Sequence, residues 1–385
     1  MSGAGSRWSR APPCRSVAGP APGYLRTWWT GRTGDHVHHV LRYRVRRSDG
    51  RRYGRAVVDI EQINPRNLAA LRAWWEVGQA ATAYRPGTPW PAWETSRVAL
   101  PADNPERGVT LIGAIDGREM VGAAILIRPL EENLHTATAI VYVRPDRTRE
   151  GIGRRLAEEL EVVAAGDGRT TLQSEAYLPP DGSGGASEAF ASAMSYAVAS
   201  RESIKELALE DYATRRPDLD VPVPEGYRVV TFDTVCPEEH LESYGRLLGM
   251  LLSEVPLGDL DLEDSAWTPE RVRAAESRLT GIGRHMHTAL AIAPDGSVAG
   301  VSDVRIDESD PVHGQVGITI VDPAHRGRRL GLVLKLATHD LAVATYPSLV
   351  SVDTSNAEVN TWMNAVNEAL GYRTIETLLE LQKRL

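Results

Sequence analysis

Two stretches of this chain, VYVRPDRTREGIGRRLAEEL at 141–160 and ITIVDPAHRGRRLGLVLKLA at 318–337, decide how the rest is read. Each runs from an apolar strand through Pro145 or Pro323 into an Arg- and Gly-rich turn, and then opens a helix. Such a turn aims free backbone N–H groups and the positive end of a helix dipole at one point, and glycine lets a bulky anion approach the main chain. Both stretches are therefore anion seats. Neither is a dinucleotide fingerprint or a Walker loop, because the GxGxxG and GxxxxGK(S/T) patterns are absent from them.

Outward from the first seat, the pattern predicts a strand near 56–61, a helix over 65–78 and a short helical piece after Pro89. Strands follow near 109–115, 119–128 and 136–143, and a helix starts at Gly151. After Pro224 the same succession recurs: a strand at 227–232, helices at 238–254 and 269–277, strands at 287–293, 297–305 and 314–321, and a helix from Arg328. Consecutive antiparallel strands between helices make the class α+β. The recurrence makes two tandem domains, each a mixed, mostly antiparallel sheet flanked by helices. The Pro-, Asp- and Gly-rich RRPDLDVPVPEGY at 215–227 separates them, giving an N-terminal domain over 56–214, a linker over 215–226 and a C-terminal domain over 227–385.

Composition narrows the function. The 385 residues are 42% hydrophobic and 24% charged, enough for two ordinary cores. No window has the apolar length of a membrane helix and the N-terminus lacks a signal-peptide core, so no membrane partner and a cytoplasmic location are expected. Cys14 and Cys236 alone make neither a disulfide framework nor a thiolate metal site, and no metal is expected. Residues 1–55 hold twelve Arg against only Asp35 and Asp49, within a chain total of −8; they read as a disordered basic extension over an acidic body. An acidic body attracts cationic small molecules and repels nucleic acid.

At the two seats the chain resembles the GNAT (N-acetyltransferase) superfamily, whose pyrophosphate loop reads Q/R-x-x-G-x-G/A between its fourth strand and third helix. Gly151 and Gly153 stand at the glycine positions of the first copy, with Thr148 where Gln or Arg is usual. In the second, Arg326 and Gly331 fit and Arg329 replaces the first glycine, within a loop of Arg326, Gly327, Arg328, Arg329, Leu330 and Gly331. The resemblance extends over roughly 56–385. Downstream, SLVSVDTSNAEVNTWMNAVNEALGYR reads as a fifth strand ending near Thr354, a helix holding Asn356, Asn360, Met363 and Asn367, with the three Asn on one face, and then the LGY that begins the family's last strand. Asn360 stands where the family contacts pantetheine, with Asn356 beside it. The first copy has ASEAFASAMSYAV there, without Asn.

The resemblance implies acetyl-CoA as co-substrate, a small-molecule amine as acceptor, and a monomer or homodimer. It also implies an N–H near Ile320 or Val321 facing the thioester oxygen. Proton transfer is less defined, because the family's Tyr is replaced by Asn367 in the second copy and Ala191 in the first. Asn367 can hydrogen-bond the sulfur but cannot protonate it, so Tyr372 or water supplies the proton, or the thiolate leaves unassisted. Asp303, Asp307 and Asp322 are the carboxylates available as base, and Asp259, Asp261 and Glu263 form an acidic loop suited to a cationic acceptor. These features make the C-terminal copy the catalytic one. Paired proteins of this family modify antibiotics or biosynthetic intermediates. A non-catalytic acyl-CoA-binding module and an aminoacyl-tRNA-dependent transferase are the rivals.

Overall fold

The computed structural model describes residues 9–10, 58–87 and 90–385, so the basic extension expected over 1–55 lies, apart from Ser9–Arg10, outside them. The N-terminal copy comprises β2 (Asp59–Ile63), α1 (Leu68–Thr82), α2 (Trp93–Ala99), β3 (Arg107–Asp116), β4 (Glu119–Pro129), β5 (Thr136–Val143), α3 (Ile152–Gly166), β6 (Thr171–Leu178), α4 (Ala186–Ala193), β7 (Ala197–Ala208) and α5 (Leu209–Arg215), after the two-residue β1 (Ser9–Arg10). The C-terminal copy repeats it: β8 (Arg228–Asp233), α6 (Leu241–Gly249), α7 (Leu251–Glu254), α8 (Pro269–Gly281), β9 (Arg284–Ile292), β10 (Val298–Asp307), β11 (Asp310–Val321), α9 (Leu330–Thr345), β12 (Ser351–Ala357), α10 (Thr361–Leu370) and β13 (Arg373–Arg384). The mixed α+β architecture expected from the sequence is the one observed.

Local chemistry sets the boundaries. Asn67 caps α1 by accepting from Ala70 N, and Thr268 caps α8 ahead of Pro269 at its first turn. The helix expected over 238–254 is divided, with α6 closing at Gly249 and α7 starting at Leu251. Core packing is two-sided in each copy. In the first, Leu156 and Leu160 of α3 bury against one sheet face, and Leu71, Trp74 and Trp75 of α1 against the other. In the second, α9 and α6 take those places.

Among the described residues, one mixed sheet of thirteen strands joins the copies, in the order β1-β8-β9-β10-β11-β12-β7-β13-β6-β5-β4-β3-β2. The copies have exchanged their last strands. β7, from the N-terminal copy, pairs antiparallel with β12 of the C-terminal copy, while β13 returns to pair with β6. The two exchanged strands also pair with each other, from Arg373↔Glu206 to Gln382↔Ala197. This ladder explains a difference from the sequence reading: β12 continues past Thr354 to Ala357, because Asn356 and Ala357 pair with Ser203 and Glu202. Asn356 is therefore a strand residue and Asn360 the cap of α10, rather than two positions on one helical face.

Ion pairs cross the seam. Arg85 binds Glu376 in three hydrogen bonds of 3.0, 3.3 and 2.8 Å, with side chains only 10% and 7% exposed. Removing one partner of such a pair strands a buried charge. Arg85→Met is expected to cost about 3–5 kcal/mol in urea unfolding, and adding Glu376→Leu to recover most of it. A single-variant loss below about 1 kcal/mol would show that the pair is effectively solvated.

Candidate acyl-CoA site

Two parallel pairs of strands hold the geometry. β11 pairs with β12 only at His313↔Ser351, Gly314↔Val352 and Gln315↔Asp353, and then the strands part. β5 and β6 repeat this, pairing at Thr136↔Thr171, Ala137↔Leu172 and Thr138↔Gln173 and no further. Each copy thus carries a wedge between two strands, with the anion seat at the N-terminus of the following helix. The edge from Val316 to Val321, which includes Ile320 and Val321, leaves its ladder with β12 and can offer main-chain groups to an extended ligand.

The seats differ. Gly151 caps α3 at φ 85°, a left-handed value that glycine adopts freely, whereas Arg329 caps α9 at φ 59°, which costs a residue with Cβ about 1 kcal/mol. In the first seat Arg147 is held by Asp116 at 2.8 Å and Glu150 at 3.0 Å, so carboxylates neutralise it. The second has Arg326, Arg328 and Arg329 clustered around the helix start, with Glu254 bound to Arg326. Gly327 takes φ 78° there, and a Cβ on Gly331 would meet nothing within 4 Å. A Cβ on Gly153 would instead meet the Phe190 ring at 3.4 Å and Val143 at 3.5 Å. Phe190, on α4, fills in the first copy the space that stands open in the second.

A cavity of about 500 Å³ opens beneath the C-terminal wedge and reaches the N-terminal copy. Trp90, Tyr142 and Tyr177 of the first copy and Trp267, Leu248 and Leu257 of the second line it. Trp90 is braced edge-on against Tyr142, 4.9 Å between centroids. On β10, Asp303 borders the cavity with no exposed surface. β11 bulges there: pairing shifts between Ser302↔Thr319 and Val304↔Val316, so Gly317 and Ile318 together oppose Asp303. One carboxylate oxygen accepts from Gly317 N and Arg305 Nε, both at 3.1 Å, while the other has no hydrogen-bond partner. Burial raises the Asp303 pKa, with Arg305 opposing.

The other carboxylates named from the sequence are occupied. Asp307 accepts from Thr95, Arg284 and Ser309, and Asp322 caps the turn at Ala324 and binds Arg246. In the acidic loop, Asp261 binds His135 and Arg384, the backbone of Glu263 binds Asn133, and Asp259 N donates to Ala199 O. Leu257, Leu260 and Leu262 line the cavity from that loop instead. The Asp261 carboxylate thus belongs to the seam between the copies, while Asp259 and Glu263 contact the seam through their main chain and are exposed.

Asn367 has no exposed surface and meets Asn356, donating to its Oδ1 at 2.8 Å. Asn360 borders the cavity while its side chain accepts from Met363 N at 3.2 Å. Tyr372 points away: its hydroxyl lies 2.7 Å from His339 Nε2 inside the core. His339 Nδ1 lies 2.6 Å from the carbonyl of Lys335, which can only accept, so Nδ1 carries the proton and Tyr372 donates to Nε2. Burial raises the Tyr372 pKa well above its ordinary value.

Two cavity residues escaped the sequence reading. Asp353, on β12, keeps one oxygen unpartnered, and burial with Glu206 nearby pushes it up to about 7. Lys335, on α9, is fully buried and donates to Asn367 Oδ1 at 2.6 Å. Its signal was available: one of three lysines in the chain stands inside GLVLKLA. In register the first copy has Ile125 for Asp303, Ala157 for Lys335 and Ala191 for Asn367, and its β4–β5 ladder has no bulge. Among the described residues, no group of three His, Cys, Asp or Glu could hold a metal ion, and no helix is long and apolar enough to cross a membrane.

The sequence profile of the Acetyltransferase (GNAT) family matches residues 72–178, within the first copy. No curated protein matches the chain by sequence. Among solved structures, a tandem GNAT protein from the clavulanic acid biosynthesis pathway, determined without AcCoA, superposes with a TM-score of 0.72 at 25% identity, over 85% of this chain and 98% of that one. A GCN5-related N-acetyltransferase from Sphaerobacter thermophilus superposes at 0.57 with 18% identity, covering 85% and 95% of the two chains. A putative acetyltransferase from Pyrococcus horikoshii superposes at 0.52 with 14% identity, covering 91% and 94%; both share the fold. The GNAT family profile thus covers part of the first copy, and two wedges, two seats and one repeated element order give the chain the architecture of a tandem GNAT protein.

Proposed function

We propose that the protein is an acyl-CoA-dependent N-acyltransferase whose chemistry runs in the C-terminal copy, with acetyl-CoA as donor and a primary amine of a small molecule as acceptor. The observation that carries this is the unpartnered oxygen of Asp303, buried on the cavity at the bulge beside the wedge. Arg326, Arg328, Arg329 and the N-terminus of α9 would take the pyrophosphate, the free edge of β11 the pantetheine, and Asn356 and Asn360 would flank it. Asp303 takes the proton from the attacking amine, and burial, by raising its pKa, makes it a stronger base than an exposed carboxylate. The N-terminal copy contributes a cavity wall and a strand; its apolar counterparts and Phe190 leave it without acid or base.

The cavity suggests the acceptor. Aromatic and leucine walls with Asp303 and Asp353 among them suit an amine on a largely apolar or aromatic body. The structural relative from a biosynthesis pathway supports a biosynthetic intermediate or antibiotic as acceptor, and a cytoplasmic setting follows from the donor. Calorimetric titration with acetyl-CoA tests the assignment. One molecule is expected to bind per chain. The double variant Arg326→Ala, Gly331→Phe should abolish binding, and bulky residues at Gly151 and Gly153 should leave it intact. Loss from the Gly151 and Gly153 variant alone would move the site to the first copy, and no binding by the wild type would end the acyl-CoA reading.

A further inference from the structure

Lys335 is a cation with no exposed surface, placed among Leu332, Val333, Leu334 and Leu336 on α9. Besides its 2.6 Å bond to Asn367, its ammonium lies 4.8 Å from the Tyr372 ring centroid. The bond continues a chain of amides: Asn367 Nδ2 donates to Asn356 Oδ1 at 2.8 Å, and Asn356 Nδ2 to Asn364 Oδ1 at 2.7 Å, which also accepts from Lys205. No carboxylate forms an ion pair with Lys335 among the described residues. An ammonium buried without a counter-ion is costly, and a leucine or methionine would fill the space without that cost. Packing alone therefore does not account for it.

Its position does. Lys335, Thr354, Asn356 and Asn360 line the same cavity as Asp303, and Thr354 and Asn356 lie on β12 beyond the point where it parts from β11. Resting on the acyl-CoA reading, we propose that Lys335 is the acid of the transfer, giving its proton to the coenzyme A sulfur as the thioester breaks, with Asn367 holding the ammonium in place. The amine nitrogen bonds the acyl carbon and yields a proton to the Asp303 carboxylate. The C–S bond breaks with its electron pair on sulfur, and the proton from Lys335 makes the thiol. Solvent entering after product release carries a proton from Asp303 back to Lys335.

The surroundings fit a proton donor. Burial, and then the charge of Lys205 on β7, push Lys335 down to about 7, so around neutrality it both holds a proton and surrenders it readily, exchanging between its two forms. His339, one turn along α9, is held neutral because burial lowers its pKa to about 3, and Tyr372 before β13 spends its proton on His339. Arg305 on β10 is tied to Asp303, and Asp353 on β12 also borders the cavity.

The test reads the thiol directly. The thiolate of coenzyme A bound to the wild-type protein, followed by its ultraviolet absorbance against pH, is expected to form at least about one pH unit below that of free coenzyme A, because the thiol can pass its proton to the Lys335 amine and remain as a thiolate paired with the ammonium. Lys335→Gln, which keeps a donor for Asn367, should abolish the shift while binding acetyl-CoA within about threefold of wild type. Transfer from acetyl-CoA should fall about 10²-fold in that variant, and transfer from an acetyl thioester of an acidic aryl thiol by less than about threefold, since that thiolate leaves without a proton. Lys335→Met should behave alike if it folds. An unshifted titration in the wild type, or one unchanged in Lys335→Gln, overturns the assignment, whereas a wild-type protein that binds no coenzyme A overturns the acyl-CoA reading instead.

Discussion

Asp303→Asn is expected to lower kcat for acyl transfer by about 10²–10⁴, the range of a lost general base, and to leave the affinity for acetyl-CoA nearly unchanged. Asparagine can keep the carbonyl contact with Gly317 N and Arg305, so the bulge persists and only the proton acceptor is lost. The pH profile gives a second reading. The base works ionised, and burial raises its pKa, so wild-type kcat/KM should fall as the pH drops through that raised value, above the pH at which an exposed Asp would titrate. In the variant this acidic limb should vanish. Gly317→Ala supplies a steric counterpart, because a Cβ there would run into the Asp303 carboxylate and the Arg305 guanidinium. It should lower kcat without removing any ionisable group. A kcat within about threefold of wild type in Asp303→Asn would take the base away from β10 and leave Asp353 as the carboxylate to test.

The fold was legible wherever its rule is local. Strand, proline, left-handed turn and helix follow one another within twenty residues at 141–160 and 318–337, and the succession around each repeats. What depends on distant pairing was not legible. Asn356 stands on a strand because β7, far upstream, extends the ladder beneath it, and no periodicity within SNAEVN reports that. Asp303 could be named from its place on a strand, but only the bulge opposite it and the occupied side chains of Asp307 and Asp322 distinguish the three carboxylates. The acidic loop misdirects attention for a similar reason: charge density is visible in sequence, whereas the leucines between the charges face the cavity. Lys335 was visible as a residue at odds with its helix. Its worth depends on Asn367, thirty-two positions away.

Cutting the chain within the connector after Arg216 and expressing the pieces apart is expected to yield two polypeptides that do not fold alone, although each carries a whole copy in sequence. The exchanged strands are the reason. β13 lies between β6 and β7 in the middle of the sheet, and Leu378, Leu379 and Leu381 on it are at most 2% exposed. Burying three leucines is worth about 5–9 kcal/mol, comparable with the roughly 5–15 kcal/mol by which a whole domain is stable. An N-terminal piece alone loses that strand and leaves β6 and β7 as bare edges, while a C-terminal piece loses β7 from β12 and sends β13 into solvent. Either edge could still template aggregation. Co-expressed, the two pieces should restore both ladders and co-purify in equal amounts, and the intact protein should melt in one transition by calorimetry rather than two. Separately soluble, monomeric pieces with independent transitions would mean that the copies are stable without exchange, and that the continuous sheet contributes little to holding the cavity walls together.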